Sequence, residues 1–220
     1  MRLYKKLILL GGNSSLVENI LKYGSIRKDY SETILLCHRN FKGIKNDSTI
    51  IENINPINVL EIFTNIFDLN PENKYDILVS NTPTKNLDIK NNLMLEWSLS
   101  SLKLMNFFKS SNNVNKAIFL GSVISFIPFY KNGAYKSIKK IEFILYSELI
   151  HKNNKKVIFC ILPPLSPGIR GLGKLFAEPK SYWAKKLLSE FNTKENKIIM
   201  SSKLIGIILK IILALRKIKL

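Results

Sequence analysis

Leu7-Ile8-Leu9-Leu10-Gly11-Gly12-Asn13-Ser14-Ser15-Leu16 decides how the rest of the chain is read. Four consecutive apolar residues suit a strand buried on both faces, since no in/out alternation marks one face for water. Two glycines stop the run. Leu16, Ile20 and Leu21 then recur at helical spacing, with Ser14 or Ser15 able to cap the first turn. A strand that passes through a glycine turn into a helix gathers backbone N–H groups and the positive helix end at one point, where a pyrophosphate can approach the main chain. Gly11, Gly12, Asn13, Ser14, Ser15 and Leu16 are therefore the first candidate binding residues.

The same alternation repeats outward from this unit. Short apolar runs at 33–37, 48–51, 75–79, 116–120 and 157–162 read as strands. Helical patterns at 55–67, 87–110, 134–152, 180–191 and 201–217 lie between or after them. Solid apolar strands alternating with helices predict an α/β fold: a Rossmann-like, doubly wound parallel sheet in three α/β/α layers. No repeat, low-complexity linker or composition break divides residues 1–220, so one domain is expected.

Charge and cysteine usage bound the function classes. Thirty-four Lys and Arg against sixteen Asp and Glu leave +18, which attracts anions in general. The lysines are spread along the chain rather than gathered with aromatics in one stripe, so nucleic acid is not the expected partner. Cys37 and Cys160 sit in apolar runs and read as free buried thiols of a reducing compartment. There is no CxxC pair and His38 and His151 stand far apart, so no metal site is expected. The apolar run of Leu7 to Leu10 is too short for a signal-peptide core, and no stretch has the length of a membrane span. The expected location is cytoplasmic.

Four segments fall where a doubly wound sheet places its ligand crevice, at the carboxyl ends of the strands. The glycine turn is one. Arg39 and Asn40, just past the second strand, are another: Arg39 suits a ribose 2′-phosphate, which favours NADP over NAD. Ser80-Asn81 closes the fourth strand. The sharpest is Gly121-Ser122 at the end of the fifth strand, followed thirteen residues later by Tyr135-Lys136-Ser137-Ile138-Lys139. Tyr135 and Lys139 share one helix face at i, i+4, where an ammonium lowers a neighbouring phenol's pKa from about 10 toward working pH. A phenol tuned this way exchanges a proton with a carbonyl oxygen, and the Ser122 hydroxyl can hold that oxygen. Tyr182 and Lys186 repeat the spacing, but no serine closes a strand thirteen residues before them.

Taken together over about residues 5 to 170, this pattern resembles the short-chain dehydrogenase/reductase family in its compact single-domain form. The resemblance implies Tyr135 as catalytic acid/base, Lys139 as the lysine that tunes it and binds the nicotinamide ribose, and Ser122 as the substrate-orienting serine. It implies Ser98, in Trp97-Ser98-Leu99, at the place of the family's catalytic asparagine. Asn81 is the residue kept from the family's Asn-Asn-Ala-Gly motif, and Pro163 stands where a Pro-Gly pair lies near the nicotinamide. Leu16 and Glu18 replace the second and third glycines of the phosphate turn, where Leu16 would crowd a pyrophosphate and Glu18 repel it.

The expected activity is hydride transfer between NADP(H), or alternatively NAD(H), and a carbonyl/hydroxyl pair. The substrate expected from the charge of Arg170, Lys174, Lys180, Lys185 and Lys186 is an anionic small molecule, held by a lid over about 163–192. The apolar helix at 201–217, with Lys203, Lys210 and Lys217 seven residues apart, suits a homo-oligomer contact or, as an alternative, an anionic membrane surface. The competing readings are a non-catalytic Rossmann-like binding protein and a basic membrane or nucleic-acid binder.

Overall fold

The computed structural model describes residues 5–12, 14–23, 26–37, 49–53, 58–80, 93–123, 133–150, 156–163, 165–166, 177–193 and 207, with backbone alone described at 27–28, 53, 93–98, 133–135, 145–150 and 166. Six parallel strands form its centre: β1 (Lys6–Leu10), β2 (Glu32–Cys37), β3 (Thr49–Asn53), β4 (Tyr75–Val79), β5 (Val114–Ser122) and β6 (Val157–Leu162), ordered β3-β2-β1-β4-β5-β6. Register is continuous from Lys6 opposite Glu32 and Tyr75 to Leu10 opposite Leu36 and Val79. A two-strand ladder, β7 (Leu165–Ser166) with β8 (Glu178–Pro179), lies outside the sheet.

Because successive strand residues point to opposite faces, β1 feeds two cores. Ile8 and Leu10 join Phe63, Phe108, Phe119 and Phe159 on the side covered by α3 (Val59–Leu69), α4 (Leu93–Ser110) and α5 (Gly133–Ile150). Leu7 and Leu9 join Leu16, Val17, Ile20 and Trp183 on the side covered by α1 (Ser15–Tyr23), α2 (Ile26–Asp29) and α6 (Lys180–Glu190). The three-layer architecture read from the apolar runs is the one observed. The four-residue α2 and two-residue β7 and β8 were not expected; pieces that short carry no measurable period.

The end of the sheet opposite the crevice is sealed by buried polar groups. Tyr30 Oη donates to Asp76 Oδ2 (2.8 Å) and Asn115 Nδ2 to Asp76 Oδ1 (2.6 Å). Burial pushes the Asp76 carboxyl above its usual 3.8, although both hydrogen bonds and the Lys5 and Lys116 charges pull the other way. Lys116 Nζ donates to the carbonyls of Glu190 (3.2 Å) and Thr193, placing a cation at the carboxyl end of α6 where the helix dipole favours one.

That anchorage bears on the expected lid over 163–192. Trp183, Ala184 and Leu187 of α6 are fully buried, and Trp183 Nε1 donates to the buried Glu178 Oε2 (2.8 Å). Over Lys180–Glu190 the segment is thus a core helix packed on α1, with about 1.5–3 kcal/mol from each fully buried large apolar side chain. The expected helix at 201–217 lies outside the described residues apart from Ile207, which is helical and exposed. No helix among the described residues is long and apolar enough to cross a membrane.

Candidate functional site

Strand order reverses between β1 and β4, since the chain leaves β1 toward β2 and leaves β4 toward β5. A sheet of this kind opens its crevice there. Gly11 follows β1 with φ +86, and a Cβ at that position would run into the carbonyl oxygen of Ser80. Only glycine fits the turn without strain. Gly12 packs on the Cys37 sulfur, and the N–H groups of Gly11 and Gly12 both donate to the Leu36 carbonyl (3.0 and 3.1 Å). The turn is thereby laced to the end of β2. Burial at this spot holds the Cys37 thiol above its ordinary 9.0.

Ser14 caps α1. Its Oγ accepts from Val17 N (3.2 Å), its carbonyl accepts from Glu18 N (3.1 Å), and its own N–H donates to Gly11 O (2.9 Å). The Ser14 and Ser80 hydroxyls lie 3.1 Å apart and bridge the switch point, while Ser80 N donates to Leu10 O (2.9 Å). The Ser15 and Leu16 N–H groups are first-turn donors that a helix cannot satisfy from within itself, so they are the groups an anion would use. The Leu16 side chain, expected to crowd a pyrophosphate, turns into the core with 4% exposure. Only its N–H is left to the crevice. Glu18 is exposed on the first turn, where a carboxylate suits the helix dipole.

On the other side of the switch point, β5 ends at the half-buried Ser122, paired with Leu162 of β6. The preceding Gly121 lies against the Phe159 ring, which a Cβ would strike. Lys139 on α5 reaches back to this end of β5, its Nζ donating to Leu120 O (3.3 Å), two residues before Ser122. The same ammonium lies 2.8 Å from Glu142 Oε2, and both side chains are buried. Tyr135 falls on the first turn of α5, one turn before Lys139. The structure thus brings Lys139 and Ser122 to one strand end, and the Ser14–Ser80 pair to the adjacent one. Pro163, just past β6, is buried.

The Tyr135 and Ser98 side chains lie outside the described residues, as do Asn13, Arg39, Asn40, Asn81, His38 and His151. Of the expected anion-binding residues, Lys186 packs over the Tyr182 and Trp183 rings (5.6 and 4.8 Å to their centroids), Lys185 is exposed on α6, and Arg170 and Lys174 are outside the described residues. Tyr182, the rival of Tyr135 in the sequence, is exposed on the surface of α6. Glu142 is the site residue that the sequence reading missed. Its signal was a carboxylate at i+3 from Lys139, set beside Phe143 in a stripe that otherwise turns apolar residues inward.

No protein-family model matches the chain and no curated protein matches it in sequence. Its three-dimensional form is nevertheless shared. A short-chain dehydrogenase from Burkholderia cenocepacia, solved in complex with NADP, superposes with a TM-score of 0.69 at 10% identity, over 99% of this chain and 96% of that one. The fold is that of the short-chain dehydrogenases. A second such dehydrogenase, from Streptomyces avermitilis, gives a TM-score of 0.66 at 10% identity over 97% of this chain and 94% of that one. The Bordetella bronchiseptica enzyme WbmF, solved with NADH, gives 0.54 at 14% identity; 76% of this chain matches 52% of it. The two short-chain dehydrogenases are thus matched over nearly the whole of each chain, whereas the larger enzyme is matched over about half its length.

Proposed function

We propose that the protein is a nicotinamide-dependent oxidoreductase interconverting a carbonyl and a hydroxyl, with NADP(H) preferred over NAD(H). The observation that carries this reading is the β1–β4 switch point, where the Gly11–Gly12 turn and a capped helix N-terminus lie on one side and Lys139 meets the end of β5 on the other. The residues present fit a dinucleotide: Gly11 and Gly12 keep the turn free of side chains, Leu16 is turned away, and the Ser15 and Leu16 N–H groups would take the pyrophosphate. Arg39 and Asn40 would hold the ribose 2′-phosphate, and Asn81 and Pro163 would border the adenosine and nicotinamide parts. When bound, the nicotinamide supplies hydride chemistry.

In this reading Ser122 Oγ–H donates to the substrate carbonyl oxygen and holds it in place. The Tyr135 hydroxyl delivers the proton that the oxygen needs as it becomes an alcohol, and takes one back in reverse. Lys139 orders that end of the site, and Ser98 on α4 supports the path by which Tyr135 is reprotonated. The basic surface favours an anionic small-molecule substrate. A homo-oligomer joined through the segment 201–217 is the assembly this reading favours.

The test is a fluorescence titration with NADPH, followed by carbonyl-dependent NADPH oxidation across a panel of anionic carbonyl compounds. Wild type is expected to bind NADPH saturably, and Tyr135→Phe to bind it equally while losing about 10²-fold or more in turnover. Undiminished turnover in Tyr135→Phe removes the assignment. Saturable binding without turnover of any compound favours the non-catalytic reading, toward which the pairing of Lys139 with Glu142 points.

A further inference from the structure

The face of the sheet opposite α1 and α6 carries a cleft that the proposed reaction does not use. It has a volume of about 250 Å³ and lies between the first turn of α3 and the middle of α4. Its floor is apolar: Val59 and Leu104 are buried, each with 2% exposure, and Leu60 is half-buried. Ser100 adds a hydroxyl from α4. None of these residues belongs to the Gly11–Ser15 turn, to Ser80 or to the end of β5.

Two charges of opposite sign line the cleft, Glu61 from α3 and Lys103 from α4. Both are exposed, and among the described residues neither forms an ion pair. A simple anion held between them gains from Lys103 and loses to Glu61, and a simple cation does the reverse. A molecule that bears both charges gains from each. The apolar floor asks for a hydrocarbon part as well. The volume falls just under the range of about 300–1,000 Å³ typical of drug-sized ligands, so the ligand it suits is of amino-acid size.

We propose that this cleft binds a zwitterion with a compact apolar side chain, of the neutral α-amino acid class. The ligand carboxylate meets Lys103, its ammonium meets Glu61, and its hydrocarbon part rests on the Val59, Leu60 and Leu104 floor. The site is independent of the cofactor reading and stands whether or not the crevice binds a dinucleotide. Exposed charge contacts contribute little each, so binding is weak, with a Kd on the order of 0.1–10 mM.

The test is saturation-transfer NMR on the full chain, with L-leucine as the probe. Two analogues isolate the charges: isocaproate lacks the ammonium, and isoamylamine lacks the carboxylate. Wild type is expected to bind leucine saturably and each analogue about two- to fivefold more weakly. Glu61→Gln should weaken leucine by about the same factor yet strengthen isocaproate, because the repelling carboxylate is gone. Lys103→Gln should likewise weaken leucine and strengthen isoamylamine. Ser100→Phe fills the cleft without altering either charge and should abolish leucine binding, with far-UV circular dichroism unchanged. Glu61 and Lys103 are both exposed, so their variants report even where Ser100→Phe does not fold. No saturable leucine signal up to about 50 mM overturns the proposal. So does an analogue that binds wild type as tightly as leucine, or leucine binding that is unchanged in a folded Ser100→Phe.

Discussion

Replacing Gly11 by alanine tests the geometry on which the crevice depends. The backbone there has φ +86, and a non-glycine residue in the left-handed region loses about 1–2 kcal/mol. The added methyl also meets the Ser80 carbonyl oxygen, which is backbone and cannot swing aside. Relief requires the turn to shift away from the Ser80 carbonyl, which strains both the bond to β4, Ser80 N to Leu10 O (2.9 Å), and the bond to β2, Gly11 N to Leu36 O (3.0 Å). Each of those bonds is worth about 1 kcal/mol net. The total is about 2–4 kcal/mol, a large part of a typical 5–15 kcal/mol stability. For a chain of this size that lowers Tm by roughly 4–16 °C. Urea unfolding followed by far-UV circular dichroism, with an unchanged m value, is the assay. A loss below about 0.5 kcal/mol would show that the turn does not have this conformation. The same variant should also bind NADPH more weakly, because the displaced turn carries the Ser15 and Leu16 N–H groups.

Three further outcomes follow from the packing. Trp183→Ala should cost about 3–5 kcal/mol because Trp183 is fully buried and donates to Glu178; a loss under about 1 kcal/mol would mean that α6 is a detachable lid after all. Asp76 has a folded pKa raised above 3.8, so the native state holds its proton more tightly than the unfolded chain. Its contribution to stability is therefore fully present below 3.8 and is lost as pH rises through the folded value. The stability of wild type relative to Asp76→Asn, from urea melts at several pH values, should fall with rising pH and then level off; a difference that grows with pH contradicts this. Burial also raises the Cys37 and Cys160 thiols above 9.0, so a disulfide reagent at neutral pH should label neither at an appreciable rate in the native protein and both after unfolding. Rapid native labelling of either would show that it is not in the core.

The fold was legible because its strands are unbroken apolar runs, and Leu7 to Leu10 with Val157 to Leu162 left only a sheet covered on both faces. Strand order was not legible from any single run; the doubly wound class read from the alternation leaves it open, and the structure gives β3-β2-β1-β4-β5-β6. Lys180, Lys185 and Lys186 dominate the composition of α6 and drew the reading toward a lid, while Trp183, Ala184 and Leu187 on the other side pack it into the core. At the site, Lys139 and Ser122 were singled out from their offsets along the chain, and Lys139 donates to the carbonyl of Leu120, two residues before Ser122. The Lys139–Glu142 pair was written in the sequence at i+3, but only burial gives it consequence: on an exposed helix face such a pair contributes a few tenths of a kcal/mol. Leu16 shows the reverse case, where a residue poorly suited to a phosphate turn is harmless once its side chain points into the core.

The most direct measurement of the central claim is a crystal structure of the wild-type protein with saturating NADPH. The account predicts density along the ends of β1 and β4, with the pyrophosphate on the Ser15 and Leu16 N–H groups and the nicotinamide between Ser122 and Tyr135. An empty crevice at saturating NADPH, or the dinucleotide bound elsewhere on the basic surface, would contradict it.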